Sequence, residues 1–212
     1  MCIMSQSHIR YSCREISRLL DLLLVWKLNF PDKKYQIIYA DPPFSYHIER
    51  GKAVLMGSTK NHYETMTLED ICNLPVQQIA DKNCYLFLWA SSPTLKEALQ
   101  VMERWGFKYK VVAFVWSKTN REMGLGHYTR TNHEFVLLGT KGSLERKSNK
   151  VKQWLKAPTT AHSKKPNEIR DRITQLYGDL QRIELFSRTI IHGWDVIGND
   201  EKLENLPLEV FS

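Results

Sequence analysis

An acid, two prolines and an aromatic ring follow an apolar run that predicts a buried strand over residues 35–40: they are Asp41, Pro42, Pro43 and Phe44. Each proline fixes its own φ and pushes the preceding residue towards extended backbone. The carboxylate of Asp41 and the carbonyl of Pro42 can therefore be held as rigid hydrogen-bond acceptors beside the flat face of Phe44. Two acceptors and a ring suit a planar group that carries an NH2, such as the exocyclic amine of a nucleobase.

The same four residues also suit a purely structural role. A pair of prolines commonly ends a strand, an aspartate forms turns, and an aromatic side chain fills a core. Because four-residue motifs recur by chance, these residues alone leave both interpretations open.

A second group of residues could hold an anion. Lys165 stands immediately before a predicted helix, whose free N–H groups attract negative charge. The ammonium of Lys165 and these N–H groups together would form a site for a carboxylate or a phosphate. A surface lysine near a helix start is the structural alternative. The chain has neither G-x-G-x-x-G nor a P-loop pattern, which argues against NAD or ATP as cofactor.

The positive charge of the chain is concentrated in one segment. Residues 141–165 contain eight lysines or arginines against a single acid, and this imbalance accounts for the whole net charge of +7. A neutral body with one basic segment is typical of a protein that binds a polyanion, although a solvated loop is the alternative. Six cations are the candidate nucleic-acid contacts: Lys118, Arg121, Arg130, Lys147, Lys150 and Lys152.

Helical and strand patterns alternate along the chain. Thr67 is expected to cap a short helix that Pro75 ends, and one helical stripe joins Leu95, Ala98, Leu99, Met102 and Trp105 before Gly106. Trp89 and Trp116 are interpreted as core residues. The other expected helices cover residues 14–28 and 166–177, and the expected strands cover residues 35–40, 84–90, 109–116, 134–138, 182–186 and 194–197.

This order predicts an α/β fold with a mostly parallel central sheet and helices on both faces. Ligands of such sheets bind beyond the carboxyl ends of the strands, and Asp41 and Arg188 both follow an apolar strand. We expect three regions: an N-terminal helical extension over residues 1–34, a catalytic domain over 35–205 and a tail over 206–212.

Composition narrows the class of protein further. Apolar residues make up 42% of the chain and aromatic residues 11%, which is enough for a sizeable core. The four cysteines show no C-x-x-C spacing, so neither a metal site nor a disulfide framework is expected. Without a secretory signal or a span-length apolar run, we expect a soluble, intracellular protein (cytoplasmic if bacterial or from a phage) that does not enter a membrane.

Taken in order, these segments resemble the adenine-N6 methyltransferases related to the catalytic subunit of the eukaryotic mRNA methylase, and in particular a compact phage or bacterial member. The resemblance covers roughly residues 35–200. The matching stretches are residues 40–44, 63–66, 88–89, 105–107, 115–120, 126–128, 132–134, 139–142, 165–168, 184–188 and 198–199.

The resemblance implies a Rossmann-like methyltransferase in which the catalytic motif precedes the cofactor motif, with S-adenosylmethionine as cofactor. Asp41 and the Pro42 carbonyl would accept the amino hydrogens of adenine, and Phe44 would stack on the base. Lys165 would hold the cofactor carboxylate. The full set of cofactor contacts implied is Ile38, Asp41, Lys165, Phe186, Arg188, Asn199 and Asp200.

The sequence departs from the family at three points. Phe44 replaces the tryptophan common in eukaryotic members, the stretch between Arg188 and Trp194 is shorter, and Asp200 stands where glutamine or glutamate is usual. DNA is favoured over RNA only by the phage and bacterial resemblance.

Several alternatives stay open. They are methylation of cytosine or of a protein glutamine, and a catalytically silent subunit of a heterodimer that binds nucleic acid. A homodimer or a heterodimer is compatible with the sequence. His133 and Glu134 could act in acid–base catalysis, but a single pair at a strand start is more often structural, and we interpret it so.

Overall fold

The computed structural model describes residues 30–45, 47–50, 53–56, 65–120, 128–160, 164–187 and 189–198. Its strands are β1 Tyr35–Ala40, β2 His47–Arg50, β3 Ala53–Met56, β4 Ala80–Ala90, β5 Lys108–Lys118, β6 His133–Lys141, β7 Trp154–Ala157, β8 Arg182–Leu185 and β9 Asp195–Ile197. Its α-helices are α1 Leu68–Asn73, α2 Val76–Ile79, α3 Leu95–Arg104 and α4 Glu168–Tyr177, and a 3-10 turn covers Ser92–Thr94. The helix expected over 14–28, the tail over 206–212 and the candidate residues Arg121, Arg188, Asn199 and Asp200 lie outside the described residues.

Seven strands form one sheet in the order β7-β5-β6-β4-β1-β8-β9, and β2 pairs with β3 in a separate antiparallel hairpin. Within the large sheet, β6 runs antiparallel to both of its neighbours, β4 and β5, while the other four pairings are parallel. The mostly parallel α/β sheet expected from the sequence is confirmed. The reversal at β6 matters for the site, because it brings the start of β6 to the edge where the parallel strands end.

Both faces of the sheet are covered, as expected. Ile38 and Ala40 of β1 belong to an apolar cluster that includes buried residues of α1 and α3. Ile37 and Tyr39 alternate with them and belong to a second cluster, which includes buried residues of α4. This alternation is the period-two pattern of a strand buried on both sides.

The helices on the first face begin and end largely as predicted. The hydroxyl of Thr67 accepts a hydrogen bond from the backbone N–H of Asp70 at 3.2 Å, which caps α1. Gly106 follows α3 with a φ of +80°, which suits a glycine after a helix end.

The prediction of the apolar stripe on α3 was wrong at one residue. Leu99 is 36% exposed, whereas Val101, which the stripe omitted, is completely buried. The buried positions are Ala98, Val101, Met102 and Trp105, which follow the i, i+3, i+4, i+7 spacing of a single helix face.

The basic segment contains a strand that the sequence did not predict. β7 pairs in parallel with the end of β5, and only one of its side chains, Leu155, is buried, between exposed Trp154 and Lys156. A four-residue edge strand with one apolar side chain facing the core has too weak an alternation to be recognised among lysines. Neither of the two interpretations of this segment, a polyanion-binding run or a solvated loop, anticipated a strand.

Among the residues that the structure describes, none of the helices has the length and apolar character needed to cross a membrane.

Trp105 connects the end of α3 to α1 on the first face, and its loss should destabilise the fold. Its indole N–H donates to the carbonyl of Ile71 at 2.8 Å, and its side chain is 1% exposed. Trp105→Phe removes one of the two hydrogen bonds that this carbonyl accepts, the other coming from the backbone N–H of Leu74, and also removes buried ring volume. It should lower the free energy of unfolding by about 1–3 kcal/mol. Trp154→Phe, at a side chain 53% exposed, should change it by no more than about 0.5 kcal/mol. Urea denaturation of both variants measures the difference, and equal losses would contradict the assigned role of Trp105.

Candidate active site

Four charged side chains meet at the edge where the parallel strands end. Asp41 follows β1, Lys118 ends β5, Glu134 lies at the start of the reversed β6, and Lys165 precedes α4. The ammonium of Lys165 lies 2.8 Å from Oδ2 of Asp41 and 3.2 Å from Oε2 of Glu134. Lys118 binds the other oxygen of Glu134. We call these four residues the charge cluster. Their formal charges alternate in sign and cancel.

The cluster is largely shielded from solvent. The side chains of Lys165 and Lys118 are 13% and 16% exposed, and those of Glu134 and Asp41 are 20% and 31% exposed. Charges of opposite sign at such distances attract strongly when little water separates them. Ion pairs that are only weakly screened by water therefore hold the cluster together.

Burial and ion pairing act in opposite directions on the pKa values of this cluster. Burial lowers the pKa of Lys165, but the carboxylates of Asp41 and Glu134 outweigh it and hold that pKa above its ordinary value. Burial raises the pKa of Glu134, but Lys165 and Lys118 outweigh it and hold that pKa below its usual range. Lys165 and Glu134 are consequently both ionised at neutral pH.

The carbonyls of both prolines in the motif accept backbone hydrogen bonds. The N–H of Phe44 donates to the carbonyl of Pro42 at 2.9 Å in a three-residue turn, and the N–H of Met66 donates to the carbonyl of Pro43 at 2.9 Å. A carbonyl oxygen has two lone pairs, so the Pro42 carbonyl is oriented by one bond and can accept a second.

Phe44 is more deeply buried than a freely exposed stacking platform would be. It is 8% exposed, forms a bridge with Met66 and belongs to the apolar cluster on the first face. The structure thus gives Phe44 a packing contact, and stacking on a base stays a prediction.

The residue that follows β8, the strand paired with β1, has an unusual backbone conformation. Phe186 has a φ of +64°, a left-handed conformation that is rare for an aromatic residue and tends to occur at functional sites. The next residue, Ser187, donates its backbone N–H to the carbonyl of Ile197 at 3.0 Å. A Cβ added at Gly198 would lie 1.6 Å from the carbonyl oxygen of Ser187, so only glycine allows the two chain segments to approach so closely.

Of the predicted cofactor contacts, Asp41, Lys165 and Phe186 lie at the ends of neighbouring elements on this edge. Ile38 is different. It is completely buried in β1, where it pairs with Leu86 and Ile183, so in this structure its side chain presents no surface to a cofactor.

The charge cluster fits the chemistry of S-adenosylmethionine. That molecule carries a carboxylate, an ammonium and a sulfonium, and the cluster offers cations for the first and carboxylates for the other two. Lys165 would hold the carboxylate, close to the start of α4, whose N–H groups favour negative charge.

The candidate nucleic-acid contacts do not share one surface. Lys118 belongs to the charge cluster, and Arg130 is exposed in the segment before β6, at the same edge of the sheet. Lys147 lies at the opposite edge, because its backbone N–H donates to Leu176 near the end of α4 at 2.7 Å, and its ammonium binds Glu145. Lys150 and Lys152 lie along α4, in a shallow depression shared with two acids, Glu168 and Asp171.

Sequence reasoning interpreted Glu134 as structural and did not place it beside Asp41 and Lys165, where the structure has it. It joins both lysines of the charge cluster, although it follows β5 in the chain and only the reversal of β6 brings it there. A usable signal did exist, since Asn132, His133 and Glu134 form one of the stretches that match the family.

Comparison with known proteins identifies the family of the chain. Residues 35–200 match the MT-A70 family. The chain is 36% identical over 195 residues to the type II methyltransferase M.MunI of Mycoplasma sp., covering 83% of each protein. It is 26% identical over 175 residues to the human N(6)-adenosine-methyltransferase catalytic subunit METTL3, and 32% identical over 124 residues to the N6-adenosine-methyltransferase non-catalytic subunit MTB of Arabidopsis thaliana.

These relatives differ in how much of them the chain represents. The human match covers 78% of this chain but 28% of METTL3, and the Arabidopsis match covers 55% of this chain and 15% of MTB. The bacterial relative is matched over most of its length. With the family matched from the motif strand to the residues after β9, the chain belongs to the MT-A70 family of methyltransferases.

Proposed function

We propose that this protein transfers a methyl group from S-adenosylmethionine to the N6 amino group of adenine in DNA. The observation that carries the proposal is Asp41, an intact acid at the end of the motif strand, held at 2.8 Å by a partly buried lysine. The relatives named as N6-adenosine methyltransferases support adenine as the target base. The bacterial type II methyltransferase, matched over most of its length, supports DNA.

Asp41 and Pro42 would activate the amine. The lone pair of an aromatic amine is delocalised into the ring, so the amine is a poor nucleophile, and positive charge grows on its nitrogen as the new bond forms. A carboxylate and an oriented carbonyl that accept its two N–H bonds stabilise that charge without having to reorganise.

Lys165 would organise both ends of the site. S-adenosylmethionine supplies a methyl group on a sulfonium, which is a good leaving group. Drawing Lys165 towards the cofactor carboxylate would release Oδ2 of Asp41, which Lys165 holds at 2.8 Å, for the incoming amine. Holding the two reactants in line then supplies much of the remaining acceleration.

A catalytically silent subunit is the competing role, because the relatives include a non-catalytic subunit. Asp41 argues against it, because this chain keeps an acid at the end of the motif strand, ion-paired with a partly buried lysine. Pairing with a second subunit, identical or not, is compatible with activity. We place the reaction in the cytoplasm of a bacterial or phage-infected cell, where both substrates occur.

Asp41→Asn should abolish most of the activity. The amide removes the negative charge and replaces one of the two carboxylate oxygens, an acceptor, with an NH2 group, a donor. Losing one such preorganised acceptor costs on the order of 10²–10³ in rate. The assay uses labelled S-adenosylmethionine with single-stranded DNA, duplex DNA and RNA oligonucleotides, followed by nucleoside mass spectrometry. Glu145→Gln, at an exposed acid, is the control and should keep full activity. An Asp41→Asn enzyme with more than about a third of wild-type turnover would remove Asp41 from its role.

Arg130 and Lys147 should contribute differently to binding of nucleic acid. Arg130 is exposed at the edge that carries the charge cluster, whereas Lys147 lies at the opposite edge. Arg130→Ala should therefore flatten the dependence of log affinity on log salt concentration by about 0.9 on duplex DNA or about 0.7 on a single strand, the value of one phosphate contact. Lys147→Ala should leave the slope unchanged. Fluorescence anisotropy across a salt series measures both, and a larger effect of Lys147→Ala would place the nucleic acid along α4 instead.

A further inference from the structure

Three aromatic rings lie under the charge cluster on the second face of the sheet. Tyr39 of β1, Trp89 of β4 and Trp116 of β5 all belong to the same buried apolar cluster, and we call them the aromatic floor. One cation lies over each ring: Arg170 over Tyr39 at 5.5 Å, Lys165 over Trp89 at 5.1 Å and Lys118 over Trp116 at 5.1 Å. A cation–π contact of this kind is stronger when the cation has lost most of its water.

The floor is one connected unit. The indole N–H of Trp89 donates to the hydroxyl of Tyr39 at 2.6 Å, and the ring of Trp116 packs edge-on against Trp89 with 6.0 Å between centroids. The ring beneath Arg170 is therefore hydrogen-bonded to the ring beneath Lys165.

That cation, Arg170, forms a buried ion pair which the proposed chemistry does not use. Its guanidinium binds both oxygens of Glu184, at 2.5 and 2.7 Å, and the two residues are 9% and 6% exposed. A further guanidinium N–H donates to the side-chain oxygen of Asn167 at 2.9 Å. Removing two charges from water is expensive, and buried pairs often stabilise a fold no better than apolar residues would. A contribution to stability alone therefore explains poorly why these two positions carry charged residues.

The position of the pair suggests a better reason. Arg170 lies in the first turn of α4, and its partner Asn167 is two residues after Lys165. Glu184 lies in β8, two residues before Phe186, where the backbone turns left-handed. One pair thus joins the helix that begins three residues after Lys165 to the strand whose last residue precedes Phe186.

We propose that Arg170 and Glu184 are positioning residues that fix Lys165 relative to the exit of β8, so that the two sides of the cofactor site keep a constant separation. This inference rests on the proposed function, since it assigns Lys165 and the β8 exit to one ligand. A bidentate guanidinium–carboxylate pair suits the task, because its fork geometry fixes both distance and orientation.

The test uses the double variant Arg170→Met/Glu184→Leu, which removes both charges and leaves no buried charge unpaired. We expect it to fold with near wild-type stability but to bind S-adenosylmethionine about tenfold more weakly, as misplaced binding groups do. The KM for S-adenosylmethionine should rise, while the KM for the oligonucleotide stays unchanged. Arg170→Lys keeps the charge but not the fork, and should weaken cofactor binding in the same direction, so a failure of the double variant to fold leaves the inference testable.

Trp105→Phe is the control for destabilisation, because Trp105 belongs to the cluster on the first face, whereas the aromatic floor belongs to the second. It should lose stability without losing cofactor affinity in calorimetric titration. Wild-type affinity in the folded double variant, or in Arg170→Lys, would overturn the inference, as would an equal loss of affinity in Trp105→Phe. If the wild-type protein bound no S-adenosylmethionine, the proposed function would fail and this inference with it.

Discussion

The double ion pair of Lys165 is the constraint on which the rest of the site depends. One ammonium, 13% exposed, is held between Asp41 and Glu134, and its charge is fixed because both acids keep its pKa high against the effect of burial. A lysine that has lost most of its contact with water is tolerated only where such partners exist. The acid proposed to activate the amine and the cation proposed to hold the cofactor are therefore parts of one electrostatic unit, and neither can be understood without the other.

The mixed direction of the sheet makes this unit possible. In a wholly parallel sheet, residues at the start of a strand lie at the edge opposite to the ligand. Here the reversal of β6 carries Glu134 to the edge where β1 ends at Asp41 and β5 ends at Lys118. The aromatic floor then supports the cations from below. The rings offer them a favourable surface without adding negative charge that would compete with the carboxylates.

The sequence was informative wherever a signal was local. The Thr67 cap, the helix end near Gly106 and the strand before Asp41 all depend on neighbouring residues, and the structure confirms them. It was less informative where tertiary contacts decide. β7 is defined by pairing with β5 around a single buried leucine, and the role of Glu134 depends on strand direction, which no local pattern encodes. The ion pair of Arg170 and Glu184 joins residues 14 positions apart in two different elements, so no periodic pattern in the sequence indicates it.

The central claim is that the charge cluster holds the zwitterionic end of the cofactor. It is tested most directly by calorimetric titration of S-adenosylmethionine into variants of two adjacent lysines. Lys165→Met should weaken binding by about 1.5–3 kcal/mol, the value of a charge-assisted hydrogen bond. Lys164→Met removes the same charge from the neighbouring exposed position and should bind like wild type. Unchanged affinity in Lys165→Met, or equal losses in both variants, would contradict the account.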